Sequence, residues 1–392
     1  MTFLCLSNGH GEDIIAVRII EELKHFSPNL DIFALPLVGQ GHAYQSANIP
    51  VIGPTLQMPS GGFIYMDGNQ LLRDLKGGLL GLTLTQYRLV REYAERGFCI
   101  IAVGDIVPLL FAWLSGAEYV FVGTAKSEYY LRDENGYLAR AKSSEKIWGS
   151  VYLPWERALL SSRRCRAVFP RDSLTGQILK SLGISSFDLG NPMMDGLEPD
   201  SCDSGTLTVL LLPGSRSPEA LRNWRLILQS IKGLTESEVT FLAALSPSLD
   251  RLPFQEYLLE FGWNLQGDSH YMLENSRLLM SQNSYSHYLA VSNAAIAMAG
   301  TATEQFVGLG KPVISLVGSG PQFTYAFAEA QTRLLGCSVT LVRESAQVPD
   351  TLKSIIYDPI LLSKIAQNGI SRLGSPGAAA RIASLITNIF VS

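Results

Sequence analysis

Residues 294–318, AAIAMAGTATEQFVGLGKPVISLVG, leave few folds open to this chain. The apolar run AAIAMA suits a buried strand, and Gly300 breaks it. Thr301 or Thr303 can cap a helix, because a threonine oxygen accepts one of the unpaired amides at a helix start. The helix is expected over residues 303–309, stopped by Gly310; Pro312 follows, and PVISLV is a second buried strand. Strand, tight turn, helix and strand make a crossover, the repeating unit of a parallel sheet. Its turn gathers unpaired N–H groups at the positive end of a helix dipole, a setting that favours phosphate or pyrophosphate. A crossover that binds nothing is the competing reading.

Residues 207–216, LTVLLLPGSR, add a cation to the same pattern. A buried strand runs into Gly214 and Ser215, whose amides can face an anion, and Arg216 supplies a fixed charge. An ordinary surface arginine after a turn is the alternative.

The 392 residues give room for two or three domains. With 47% hydrophobic and 17% charged residues, the chain can bury a large core and is not disordered. A net charge of −4 argues against nucleic acid as a partner. The cysteines Cys5, Cys99, Cys165, Cys202 and Cys337 are scattered, without a CxxC pair. A disulfide framework and a zinc site are therefore not expected, and a reducing, cytoplasmic compartment fits. No cofactor or metal is called for: there is no DxD motif and no His/Cys cluster at ligand spacing. The apolar start, residues 1–7, is too short for a signal peptide and lacks a basic flank. The most apolar region, 98–123, is cut by Asp105 and Glu118, so it reads as strand, helix and strand rather than a membrane span.

In chain order, strand 2–7 leads into the loop Asn8-Gly9-His10-Gly11-Glu12-Asp13, a helix over about 13–25 and strand 31–37. A short helix is expected near 41–47, within a Gly- and Pro-rich loop over 39–68. A long helix or a broken pair follows over 69–97. Its stretch 71–84 is dense in leucine, with Arg73, Lys76, Arg88 and Arg91 beside it. It reads either as a core helix or as a surface that meets lipid headgroups. Strand 99–104 ends at Asp105, helix and strand 119–123 follow, and 124–150 is a polar excursion made basic by Lys126, Arg132 and Arg140. Strand 167–171, helix 172–182 and strand 186–190 close the first half at Asn191. Residues 196–206 read as a linker. The second half, 207–375, runs strand 207–212, helix 217–233, strand 239–245, helix 250–260, the 294–318 unit, helix 322–335 and strand 338–342. The last helix, within 376–392, is amphipathic enough to pack back onto the first half. The fold class is α/β, with two Rossmann-like, doubly wound parallel-sheet domains.

Four motifs in order carry a resemblance: Phe169-Pro170 with Asp172, GNPMMD (190–195), LLPGSR (211–216) with Glu219, and AGTAT…GKP (299–312). Together they resemble lipid A disaccharide synthase, and most closely the related proteins of cyanobacteria and plastid-bearing lineages. The resemblance spans most of the chain. It implies a GT-B glycosyltransferase, with two domains facing a cleft, a nucleotide-sugar donor, usually UDP-linked, on the second domain, and an acceptor on the first, 1–195. It also implies inversion at the anomeric carbon, no bound metal for the leaving group, a lipid acceptor and peripheral attachment to the inner face of a membrane. A homodimer is left open. Donor binding would fall to Gly214, Ser215, Arg216, Gly300, Thr301 and Thr303. The acid that grips the nucleotide ribose in this fold falls on Gln305 here, with Glu304 one place earlier. The opening loop departs from the family's Gly-Glu-x-Ser-Gly-Asp, keeping only Asp13 and the glycines. The acceptor is therefore expected to differ from the lipid A precursor. Candidate bases are Asp105, at the family's acid position after a strand, and His10, in the first turn. Glu12 and Asp13 would support them, and Asn8, Gly9, Gly11 and Asn191 would lie on the acceptor side. A UDP-sugar epimerase of the same fold and a non-catalytic binding homologue are the rival readings.

Overall fold

The computed structural model describes residues 1–54, 79–140, 143–199 and 205–391. Its contacts divide the chain into two units, residues 1–195 with 374–392, and residues 196–373.

The first unit is built on five parallel strands: β1 (Thr2–Ser7), β2 (Asp31–Pro36), β3 (Cys99–Gly104), β4 (Tyr119–Gly123) and β7 (Cys165–Phe169). A two-stranded ribbon, β5 (Arg132–Asp133) and β6 (Gly136–Tyr137), interrupts the count. The sheet order is β2-β1-β3-β4-β7. The central strands are almost wholly buried, as expected of strands covered by helices on both faces. Those helices are α1 (His10–Phe26), α2 (His42–Ser46), α3 (Leu79–Glu95), α4 (Ile106–Ser115), α5 (Ser143–Trp148), α6 (Pro154–Leu160) and α7 (Ser173–Ser181). The chain leaves β1 towards one edge and returns through β3 on the other side. The carboxyl ends of β1 and β3 thus flank a topological switch point, where open α/β sheets bind ligands.

Two expectations need correction here. The first helix starts at His10 rather than near Asp13, with Gly9 as its N-cap, so Glu12 and Asp13 fall in its favourable first turn. Residues 186–190 form no strand. A single bridge joins Ser186 to Val168, and the chain turns away through Gly190, which has φ +86°. Within the basic excursion, Lys126 pairs with Glu156 and Arg132 with the buried Glu128, while Arg140 is exposed. Of the leucine-rich stretch at 71–84, residues 71–78 lie outside the described residues; Leu82 is buried and Leu84 exposed. No described helix is long and apolar enough to cross a membrane.

The second unit carries an eight-stranded sheet: β8 (Leu207–Leu212), β9 (Val239–Ala244), β10 (Asn264–Leu265), β11 (His270–Leu273), β12 (Ser276–Ser281), β13 (Ala294–Ala297), β14 (Val313–Leu316) and β15 (Val339–Val342). Its order is β10-β11-β12-β9-β8-β13-β14-β15, parallel except for the antiparallel β10-β11-β12 extension. That extension is absent from the sequence reading. Its helices are α8 (Glu219–Ile231), α9 (Leu252–Glu260), α10 (Tyr285–Val291), α11 (Thr301–Gly308), α12 (Tyr325–Leu335), α13 (Val348–Ile356) and α14 (Pro359–Leu373). The core centres on Trp224, Phe241, Trp263 and Ile296, all at most 2% exposed. Here the switch point lies between β8 and β13, whose ends pair Leu212 with Ala297. The chain then returns to the first unit, where α15 (Ala378–Phe390) packs on α1.

Candidate active site

At the first switch point, the loop after β1 and the start of α4 bring three polar side chains together. Asp105 caps α4, accepting from the Val107 amide at 2.8 Å, and the Asn8 amide lies against the same carboxyl. The approach is close: Gly104 has φ +136°, and a Cβ there would sit 2.0 Å from Asn8 Oδ1. Only glycine serves at that position. Burial raises the Asp105 carboxyl to about 6; the Val107 amide opposes this, Glu12 adds to it, Asn8 opposes it and Glu156 adds to it. A carboxylate with that affinity can accept a proton near neutral pH. Glu12 accepts from Thr124 Oγ1 at 3.3 Å, and Arg171 donates to the Thr124 carbonyl at 3.0 Å.

Asp13 points the other way, into the protein. The Ser7 hydroxyl donates to it at 2.6 Å, and the Tyr44 hydroxyl lies 2.6 Å from Ser7. Burial pushes Asp13 up to about 7. Its place is under the loop, fixing the end of β1 to α1. His10 and Gly11 are exposed at the helix start, and Gly9 is buried beside Glu12. Asn191 is buried elsewhere in the unit, where its Oδ1 accepts from the Met193 amide at 3.1 Å and caps a short turn. Thr124, Lys126, Glu156 and Arg171 escaped the sequence reading as a group. Their partners are up to 112 positions away, so no local spacing signals them.

At the second switch point, Gly214 (φ +100°) presses against the end of β13: a Cβ there would lie 3.1 Å from the Met298 carbonyl. Asn223 donates to the Pro213 carbonyl at 3.0 Å and holds the turn from below. Arg216 donates to Gln322 Oε1 at 3.0 Å, and Ser215 is exposed next to it. Helix α11 begins with Gly300 as its N-cap and has no side-chain cap, contrary to the expected threonine cap. Thr303 is buried and turns back to donate to the Ala299 carbonyl at 2.7 Å, while Thr301 is exposed. The cation-bearing turn and the helix start therefore stand on neighbouring strands, at the same edge of one sheet. Glu304 lies in the first turn of α11. Gln305 accepts from the Tyr285 hydroxyl at 2.6 Å, and burial raises that hydroxyl well above its usual range, keeping it a donor. Farther along the edge, a cavity of about 330 Å³ opens among Arg251, Ser269, Gln282, Asn283, Ser284 and Tyr288. Among the described residues, no group of three or more His, Cys, Asp or Glu side chains could hold a metal ion.

Two doubly wound sheets joined in this order match known structures over nearly the whole chain. A UDP-N-acetylglucosamine 2-epimerase from Neisseria meningitidis, bound to UDP-GlcNAc, aligns with TM-score 0.55 and 17% identity, covering 99% of this chain and 100% of its own. The fold is GT-B. MurG from Acinetobacter baumannii aligns with TM-score 0.59 and 13% identity, covering 99% of both chains. The calicheamicin glycosyltransferase CalG4 aligns with TM-score 0.61 and 14% identity, covering 100% of this chain and 99% of its own. No family model matches the sequence, and no curated protein matches it significantly. At this identity the likeness is one of architecture, and chemistry resides in each chain's own site residues.

Proposed function

We propose that the chain is an inverting glycosyltransferase. It moves a sugar from a UDP-linked donor to a lipid or amphipathic acceptor at a membrane surface, in the manner of lipid A disaccharide synthase. The observation that carries this reading is the pairing of Arg216 and the uncapped start of α11 at one switch point, an anion site suited to a diphosphate. As the bond to the diphosphate breaks, negative charge grows on the leaving oxygen. Arg216, the Gly214 and Ser215 amides and the amides at residues 300–303 would stabilise it, each good donor being worth ~2–4 kcal/mol in the transition state. An arginine and a helix start thus do the work that a metal does elsewhere. The ribose would meet Gln305, and the base would enter the cavity beside Gln282 and Ser284. Asp105 is the base for the acceptor hydroxyl, with burial raising its affinity for the proton and the Val107 amide, Glu12 and Asn8 adjusting it. The ordered motifs of the sequence support the same assignment.

An epimerase is the second reading, favoured by UDP-N-acetylglucosamine 2-epimerases among the similar structures. It needs no acceptor. The deciding experiment incubates the purified chain with UDP-sugars, with and without lipid extract. Release of UDP that depends on lipid supports transfer, and isomerised UDP-sugar without lipid replaces transfer with epimerisation. Tight UDP-sugar binding without turnover in either arm would leave a binding protein.

A further inference from the structure

We propose that Glu219 is a positioning residue for the diphosphate-binding arginine, acting through the loop between β14 and α12. The inference rests on the donor site proposed above and adds to it a part that neither the motif nor the fold assigns.

Glu219 opens α8 and is only 7% exposed. Its side chain reaches a loop more than 100 residues away. The Gln322 amide donates to Oε1 at 3.1 Å and to Oε2 at 3.2 Å, and the Phe323 amide donates to Oε1 at 2.5 Å. One turn along α8, Arg222 donates to the Gly320 carbonyl. The two side chains thus hold both polarities of the loop backbone. The loop is also pressed inward at Gly318, where a Cβ would lie 2.4 Å from the Phe323 carbonyl and 3.0 Å from Met298 Cε. The fastened loop presents Gln322 Oε1 to Arg216 at 3.0 Å. The chain of contacts therefore runs from Glu219 to the loop, to Gln322, to the guanidinium.

The charge of Glu219 makes this placement informative. A carboxyl three residues from Arg216 would, if it faced the site, repel a diphosphate and compete for the arginine. Burial lowers the Arg216 guanidinium and the Glu219 charge opposes that from nearby, while the carboxyl oxygens accept from two backbone amides and fix the loop that aims the arginine. Charge-assisted bonds of this kind are the strong ones, and losing the acceptor leaves buried amides unpaired.

The test measures UDP and uridine binding to the full chain by calorimetry. Uridine lacks the diphosphate and reports the nucleoside part alone. Arg216→Ala should weaken UDP about tenfold to a hundredfold and leave uridine within about twofold. Glu219→Ala should weaken UDP by about tenfold or more, again sparing uridine. In the double variant the losses should not add, because Glu219 acts through Arg216. Glu219→Gln keeps an oxygen for both amides and should recover most of the affinity. Gln322→Ala removes the last link without touching the buried carboxyl, so it should show the same UDP-only loss even where Glu219→Ala does not fold. Full UDP affinity in Glu219→Ala or in Gln322→Ala overturns the inference. Equal losses of uridine and UDP, or strict additivity with Arg216→Ala, overturn it as well. A wild-type chain that binds no UDP overturns the donor site itself, and this inference with it.

Discussion

Asp13→Asn should make the protein more stable, by an amount that grows with pH. The carboxyl is 2% exposed, and its neighbours are the Ser7 hydroxyl at 2.6 Å, Tyr44 and Cys5 behind it and Glu12 beside it in the chain. None is a cation. Burial therefore raises it from its ordinary 3.8 to about 7 in the folded protein. Between those values the folded state keeps a proton that the unfolded chain releases, so stability falls as pH rises through the window and levels off above it. A rise of about three pH units corresponds to roughly 4 kcal/mol. Asparagine resembles the protonated acid: its oxygen still accepts from Ser7, and it has no charge to bury. Urea unfolding of wild type and variant at matched pH values cancels every other titrating group. The variant should match the wild type within about 1 kcal/mol near pH 4 and exceed it by roughly 4 kcal/mol near pH 8. A stability difference that stays constant across that range would refute the burial of an uncompensated carboxyl.

Four further outcomes follow from the structure. Asp105→Asn keeps the cap of α4 but removes the proposed base, so turnover should fall about 10²- to 10⁴-fold with UDP binding unchanged. In the wild type the rate should rise as pH passes upward through about 6, because the carboxyl must be ionised to take a proton; a flat profile from pH 5 to 7 excludes Asp105 from that role. Gly104→Ala places a methyl 2.0 Å from Asn8 Oδ1 at φ +136° and should cost about 2 kcal/mol or more, read as a lowered urea midpoint. Gly369→Ala, where α14 meets α11, puts its Cβ 2.0 Å from the Val307 carbonyl. Hydrogen exchange should show the second unit loosened by about 1–3 kcal/mol, and unchanged protection would mean the helices part freely.

The strands that carry the two candidate sites were legible because they are apolar runs of four to six residues bounded by glycine, buried on both faces. Their carboxyl ends could be named from sequence for the same reason: Asp105 follows such a run directly, and Gly214 follows one after Pro213. The β11–β12 hairpin was not legible. Its turn, Glu274-Asn275, puts Glu274 at φ +53°, a conformation that glutamate does not advertise. The expected threonine cap of α11 failed because Thr303 is fully buried and spends its hydroxyl on Ala299 inside the turn, leaving Gly300 at the cap. The pairing of Asp13 with Ser7 is nearly local, but its buried setting depends on Tyr44, 31 positions beyond Asp13 and 37 beyond Ser7. Only the folded chain reveals that this acid faces inward while Glu12, beside it, reaches Thr124.

The last helix gives the molecule an unusual dependence on its own tail. Asp195 receives the amides of Gly377, Ala378 and Ala379 at 2.6, 3.0 and 2.7 Å, so the residue that ends the first passage through the first unit also caps the segment that re-enters it. A Cβ on Gly374 would come within 2.9 Å of the Gly190 backbone, so exit and re-entry are neighbours. Topologically, residues 196–373 are a guest inside a host. A ribosome therefore finishes the guest before it has made all of the host. Loss of the last helix, Ala378–Phe390, would therefore damage the unit built by residues 1–195 rather than the unit that precedes the helix in the chain.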